Sequence, residues 1–78
     1  MSGYADENPF ARERKYLGET IKRIRESKKL TQEELANRAH ADVSYIAKIE
    51  NGYVNTTVRY LIKIARAMGI KVKDLFEF

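Results

Sequence analysis

An all-α fold is predicted from three features of the sequence. Large apolar residues recur every three or four positions between Leu17 and Met68, and capping residues stand in front of several of these runs. No segment alternates apolar and polar residues for long enough to form a strand.

Residues 1 to 8 hold Ser2, Gly3, Asp6, Glu7 and Asn8 around Tyr4, and are expected to form a flexible arm. Asn8 followed by Pro9 marks a helix start, a capping side chain and then a ring whose fixed φ suits the first turn. In this helix Phe10, Leu17, Ile21 and Ile24 share one face, while Arg12, Lys15, Lys22 and Arg23 occupy the others. It ends near Lys28 and Lys29. Thr31-Gln32-Glu33-Glu34 then spells a capping box for a short second helix whose inner face is Leu35, Ala36 and Ala39.

Asp42 caps a third helix only a few residues later. Ile46 and Ile49 mark its core side, and Asn51-Gly52 ends it with a left-handed signal. Tyr53 to Thr56 is a polar loop. Thr57 caps a fourth helix with an apolar stripe of Val58, Leu61, Ile62, Ala65 and Met68, stopped by Gly69. A last short turn over residues 72 to 76 carries Leu75 and Phe76.

Seventy-eight residues, 44% apolar and 33% charged, describe a folded, soluble chain. One domain over residues 9 to 78 is expected, leaving no room for a second, ligand-sensing domain. At this size only about 60% of the unfolded surface is buried, so the core is marginal. With no Cys and one His, neither a disulfide nor a zinc site is available, and no metal or cofactor is expected. Dimerisation is the remaining way to stabilise so small a core. No apolar run reaches the roughly 18 residues of a membrane span and the N-terminus is not a secretory signal, so a cytoplasmic protein without a membrane partner is expected.

Fifteen Lys plus Arg against eleven Asp plus Glu leave a formal net charge of +4, which permits a polyanionic partner without proving one. Catalysis is not expected. His40 has no partner residues for acid–base or ligand chemistry and reads as a turn residue, and Glu33 and Glu34 stand in a helix's first turn, where the dipole favours them.

The informative stretch runs from Thr31 to Asn51. Two short helices joined by three or four residues bury their facing sides only by crossing steeply, with a small residue at the contact; Ala36 fills that role opposite Ile46 and Ile49. The outer face of the second of these helices shows Val43, Ser44, Ala47 and Lys48. These side chains are short or flexible enough to enter a groove about 12 Å wide. Gln32 points an amide outward at the helix start, beside unsatisfied N–H groups that suit a phosphate.

Four blocks carry a resemblance: Leu17 to Arg25, Leu30-Thr31-Gln32-Glu33-Glu34-Leu35-Ala36, Tyr45 to Gly52 with its Ile46-Ala47-Lys48-Ile49-Glu50-Asn51 run, and Leu61 to Ile70. In this order they resemble the lambda-repressor-like, or Cro/XRE-type, helix-turn-helix family over residues 16 to 76. The resemblance implies a five-helix DNA-binding domain with the helix-turn-helix at helices 2 and 3, and helix 3 in the major groove. Carried over by position, Val43, Ser44 and Lys48 face base edges, and Gln32, Asn51 and Arg59 hold phosphates. Arg25 and Glu50 match a structural ion pair that ties helix 1 to helix 3. Where the family usually has Gly, this chain has Lys29 and His40, and the sequence leaves open whether either takes positive φ, which costs a residue with a Cβ. Thr56 replaces a frequent Pro.

The function so implied is a sequence-specific transcriptional regulator, a repressor or a restriction-modification controller type, with double-stranded DNA as its partner. One module reads about three or four base pairs, too few for a genome at roughly 1–3 kcal/mol per contact, so a homodimer on a pseudo-palindromic operator is expected. Tyr60, Phe76 and Phe78 are the expected dimer interface, since they leave aromatic surface uncovered. Glu33 and Glu34 offer an acidic patch to RNA polymerase or a partner protein. The alternatives are an antitoxin-type autoregulator and a protein-interaction module of the same fold.

Overall fold

The computed structural model describes residues 10–78. The arm at residues 1 to 8 and the Asn8-Pro9 helix start lie outside the described residues. Four α-helices follow in order: α1 (Ala11–Ser27), α2 (Gln32–Ala39), α3 (Val43–Glu50) and α4 (Val58–Met68). The fifth element, Val72–Phe76, is a 3₁₀ helix rather than an α-helix. Among the described residues there is no strand.

Local chemistry accounts for most of the boundaries. The Thr31 hydroxyl accepts from the Glu34 N–H at 3.0 Å and the Glu34 carboxylate accepts from the Thr31 N–H at 2.8 Å, so both halves of the α2 capping box are made. That backbone N–H bond holds the Glu34 carboxyl below the usual carboxylate range. Asp42 and Thr57 cap α3 and α4 through their side-chain oxygens. Gly69 ends α4 at φ 70°, and Lys29 and His40 take up φ of 59° and 53°, a conformation that costs a residue with a Cβ.

The core is shared evenly. Ile21, Leu35, Ile46, Ile64 and Leu75, one from each of the five elements, are all 0% exposed. Each short helix therefore depends on neighbouring elements to cover its apolar side, the usual situation for helices too short to persist alone.

Three expectations about the apolar faces need correction. Phe10 is 63% exposed and Val58 69% exposed, so neither belongs to the core. Both lie at the starts of their helices, beyond the reach of the elements that pack on the middle. The buried side of α4 is Leu61, Ile64, Ala65 and Met68, with Ile62 only half-buried. The stripe is rotated toward Ile64 because α2 and the 3₁₀ helix both pack on α4, and their positions set which arc of it is covered.

Candidate nucleic-acid interface

α2 and α3 are joined by His40, Ala41 and Asp42. His40 turns the chain in the left-handed conformation, the Ala41 N–H closes on the Ala36 carbonyl at 2.8 Å, and Asp42 opens the next helix at once. Lys63 of α4 fastens this turn from behind: its Nζ donates to the His40 carbonyl at 3.2 Å and lies 4.9 Å from the centroid of the Tyr60 ring.

So tight a turn places α3 with Ile46 and Ile49 inward and Val43, Ser44 and Lys48 exposed on the opposite arc. Ala47, half-buried between them, adds no bulk. Ser44 is already engaged. Its hydroxyl donates to Asp42 Oδ2 at 2.9 Å while its N–H meets Oδ1 at 3.4 Å. The hydroxyl proton being used, the remaining capacity of Ser44 toward a ligand is that of an acceptor.

Beneath this face the polar groups are buried and joined. Arg25 of α1 forks onto Glu50 at the end of α3, Nε to Oε2 at 2.7 Å and Nη2 to Oε1 at 3.1 Å. Its Nη1 donates to the Leu30 carbonyl at 2.7 Å, which fixes the α1–α2 connection to the same point. The hydrogen bond to Glu50 pushes the Arg25 guanidinium pKa up, outweighing the opposing effect of burial. Gln32, at the first turn of α2, donates from Nε2 to Glu50 Oε1 at 2.9 Å. Its amide is thus half-buried and oriented by the ion pair, where the sequence suggests a side chain pointing simply outward. Nothing in the spacing of Gln32 and Glu50, eighteen residues apart, signals that bond.

Gly18 is a second feature that periodicity does not reveal. A Cβ at this position would run into the backbone carbonyls of Ile49 and Glu50, so the glycine lets α1 meet the end of α3 directly. Asn51 is exposed immediately after that contact, and Arg59 is exposed in the first turn of α4, on the far side of the intervening loop. Within the loop Thr56, standing where a Pro is frequent in the resembled family, accepts from the Tyr45 hydroxyl at 3.2 Å.

The expected interface aromatics do not form one group. Tyr60 is half-buried, its ring 4.6 Å from that of Tyr45 and under Lys63, so part of its surface is used in packing α3 on α4. Phe76 and Phe78 are 50% and 55% exposed and lie 6.4 Å apart. Their neighbour is Tyr16 of α1, 5.6 Å from Phe78. Among the described residues no group of His, Asp or Glu is arranged to hold a metal ion, and no helix is long and apolar enough to cross a membrane.

Comparison with known proteins agrees with this geometry. Residues 21–75 match the family model described as helix-turn-helix. Over 59 residues the chain is 43% identical to the immunity repressor protein of Bacillus phage phi105, covering 76% of this chain and 41% of the repressor. Over 63 residues it is 36% identical to control protein C.BamHI of Bacillus amyloliquefaciens, covering 80% of this chain and 78% of that protein. The solved restriction-modification controller protein C.AhdI from Aeromonas hydrophila superposes with a TM-score of 0.82 at 31% identity, over 83% of this chain and 98% of that one. The chain thus spans less than half of the phage repressor and most of the two controllers.

Proposed function

The chain belongs to the lambda-repressor-like helix-turn-helix family, a family of DNA-binding regulators and not of enzymes, and from that membership we propose a sequence-specific transcriptional regulator that binds its operator as a homodimer. The observation that carries the reading is the outer arc of α3. Its exposed side chains are Val43, Ser44 and Lys48, and the helix beneath them is held by the Arg25–Glu50 pair. Such an arc enters a major groove about 12 Å wide without steric conflict.

In this proposal Val43 packs on a thymine methyl. Ser44, left with its acceptor capacity, takes an exocyclic amine of cytosine or adenine, and Lys48 reaches a guanine edge or a phosphate. Gln32, Asn51 and Arg59 hold phosphates on either side. The Glu50 bond uses one of the two N–H donors of the Gln32 amide and leaves the other for a phosphate oxygen. Two copies place their α3 helices about one helical turn apart on a pseudo-palindromic site. Tyr16, Phe76 and Phe78, an apolar cluster left open among the described residues, supply the contact between copies.

Selection of bound sequences from a random duplex pool tests the proposal as a whole. A palindromic motif with half-sites about 10 base pairs apart is expected, and a lone, asymmetric half-site would reject the homodimer. Contacts to six to ten phosphates predict a loss of roughly 10³- to 10⁵-fold in affinity between 50 and 200 mM salt. Negligible affinity even at low salt would reject DNA binding and favour a protein-interaction module built on the same fold.

A further inference from the structure

We propose that Arg14 of α1 is an additional phosphate-holding residue, preset by the loop that follows α3. The inference rests on the DNA-binding reading above and adds to it a contact outside residues 21–75, the span matching the family.

Arg14 Nε donates to the Gly52 carbonyl at 3.1 Å, a bond between residues thirty-eight apart in the chain. The two backbones are in close contact at the same place. Gly52 has φ 74°, and a Cβ on it would lie 3.0 Å from the Lys15 Cα. α1 therefore begins against the residue directly after Asn51, one of the expected phosphate contacts. Arg14 is partly exposed, and Gly52 is the one hydrogen-bond partner of its side chain among the described residues.

The chemistry follows from how the guanidinium is used. Its Nε–H is committed to Gly52, while the four N–H groups on the two Nη atoms have no partner among the described residues and form a planar fork that matches two phosphate oxygens. Anchoring one nitrogen removes much of the rotamer freedom that a surface arginine loses on binding. The surrounding charge suits an anion: residues 12 to 15 are Arg12, Glu13, Arg14 and Lys15, and both Arg12 and Lys15 are exposed. The Gly52 N–H bonds the Ile49 carbonyl at 3.0 Å and the Tyr53 N–H bonds the Lys48 carbonyl at 2.9 Å, so the fork is referenced to the same helix that carries the base-facing side chains.

Arg14→Gln is the informative variant, because glutamine Nε2 occupies the chain position of arginine Nε. It can keep the bond to Gly52 while removing the fork and its charge. Binding of the full chain to its selected operator and to unrelated duplex is measured across a salt series, with thermal unfolding followed in parallel. For Arg14→Gln the expected result is an unchanged melting temperature, equal fractional weakening on both DNAs, and a slope of log K against log salt reduced by about 0.9, the share of one phosphate. Arg14→Lys, which retains a charge, should restore the slope. A wild-type slope in Arg14→Gln would overturn the proposal and leave DNA binding intact, and a drop in melting temperature at constant slope would assign Arg14 to capping α3. Absence of salt-dependent binding in the wild-type protein would remove both readings together.

Discussion

Around Glu50 the chain buries its charge, and around Phe78 it exposes its rings. Glu50 accepts from Arg25 and Gln32, Arg25 is completed by the Leu30 carbonyl, and among the described residues no buried side-chain polar atom lacks a partner. Phe78 has Tyr16 and Phe76 as neighbours, and all three rings are more than a third exposed. The first region gains rigidity from internal satisfaction, since a buried polar group left unmade costs more than a made one contributes. The second saves nothing for the monomer by staying open. The contrast sets a region finished within one chain, which bears α3, against a region that a second surface can complete.

The most severe way to break the contrast is Glu50→Ala. It strands the Arg25 guanidinium in a buried site and frees the Gln32 amide, so unfolding in denaturant should show a loss of about 3–5 kcal/mol, with DNA affinity falling in step. Full loss of binding at wild-type stability would place Glu50 on the DNA instead of in the fold. Gly18→Ala attacks the same junction sterically. A helix interior normally gains from this exchange, but here the new methyl meets the Ile49 and Glu50 carbonyls, and a loss of roughly 1–3 kcal/mol in the same measurement is expected. A gain in stability would show that α1 and α3 have room to separate.

The exposed region should respond differently. Phe78→Ser should change the monomer's stability by about 1 kcal/mol or less, while sedimentation shifts toward the monomer. A large stability loss without a change in assembly would make the ring part of the core. The smallest effect belongs to Glu34, which is exposed. Its carboxyl lies below the usual range in the folded protein because the Thr31 N–H binds the charged form. The unfolded chain therefore takes up the proton first as pH falls. The stabilisation is complete above the usual carboxylate range and disappears as pH drops through the lowered value. Melting temperature measured against pH should thus fall less steeply in acid for Glu34→Gln than for the wild type.

Caps and ends were legible in the sequence because each is a conversation between residues two to four apart. Thr31 with Glu34, Asp42 with Ser44, Thr57 with Tyr60 and the stop at Gly69 need no knowledge of the rest of the fold. The outer arc of α3 was legible for a similar reason, since the apolar pair Ile46 and Ile49 defines its opposite. Ile64 was missed because the covered arc of α4 depends on where α2 and the 3₁₀ helix settle. The packing of Tyr60 was not legible because the Tyr45 ring that it meets comes from another helix, fifteen positions earlier in the chain.

Periodicity, capping chemistry and four ordered blocks of residues were thus enough to specify the helices, their order, the family and the face of α3 turned to solvent. Those features are short-range, encoded in spacings of a few residues. The partner of Gln32, the close approach at Gly18, the tether of Arg14 to Gly52 and the pairing of Phe78 with Tyr16 join residues eighteen to sixty-two positions apart. Such contacts exist only once all five elements have packed, because the position of each short helix is set by the others that cover it.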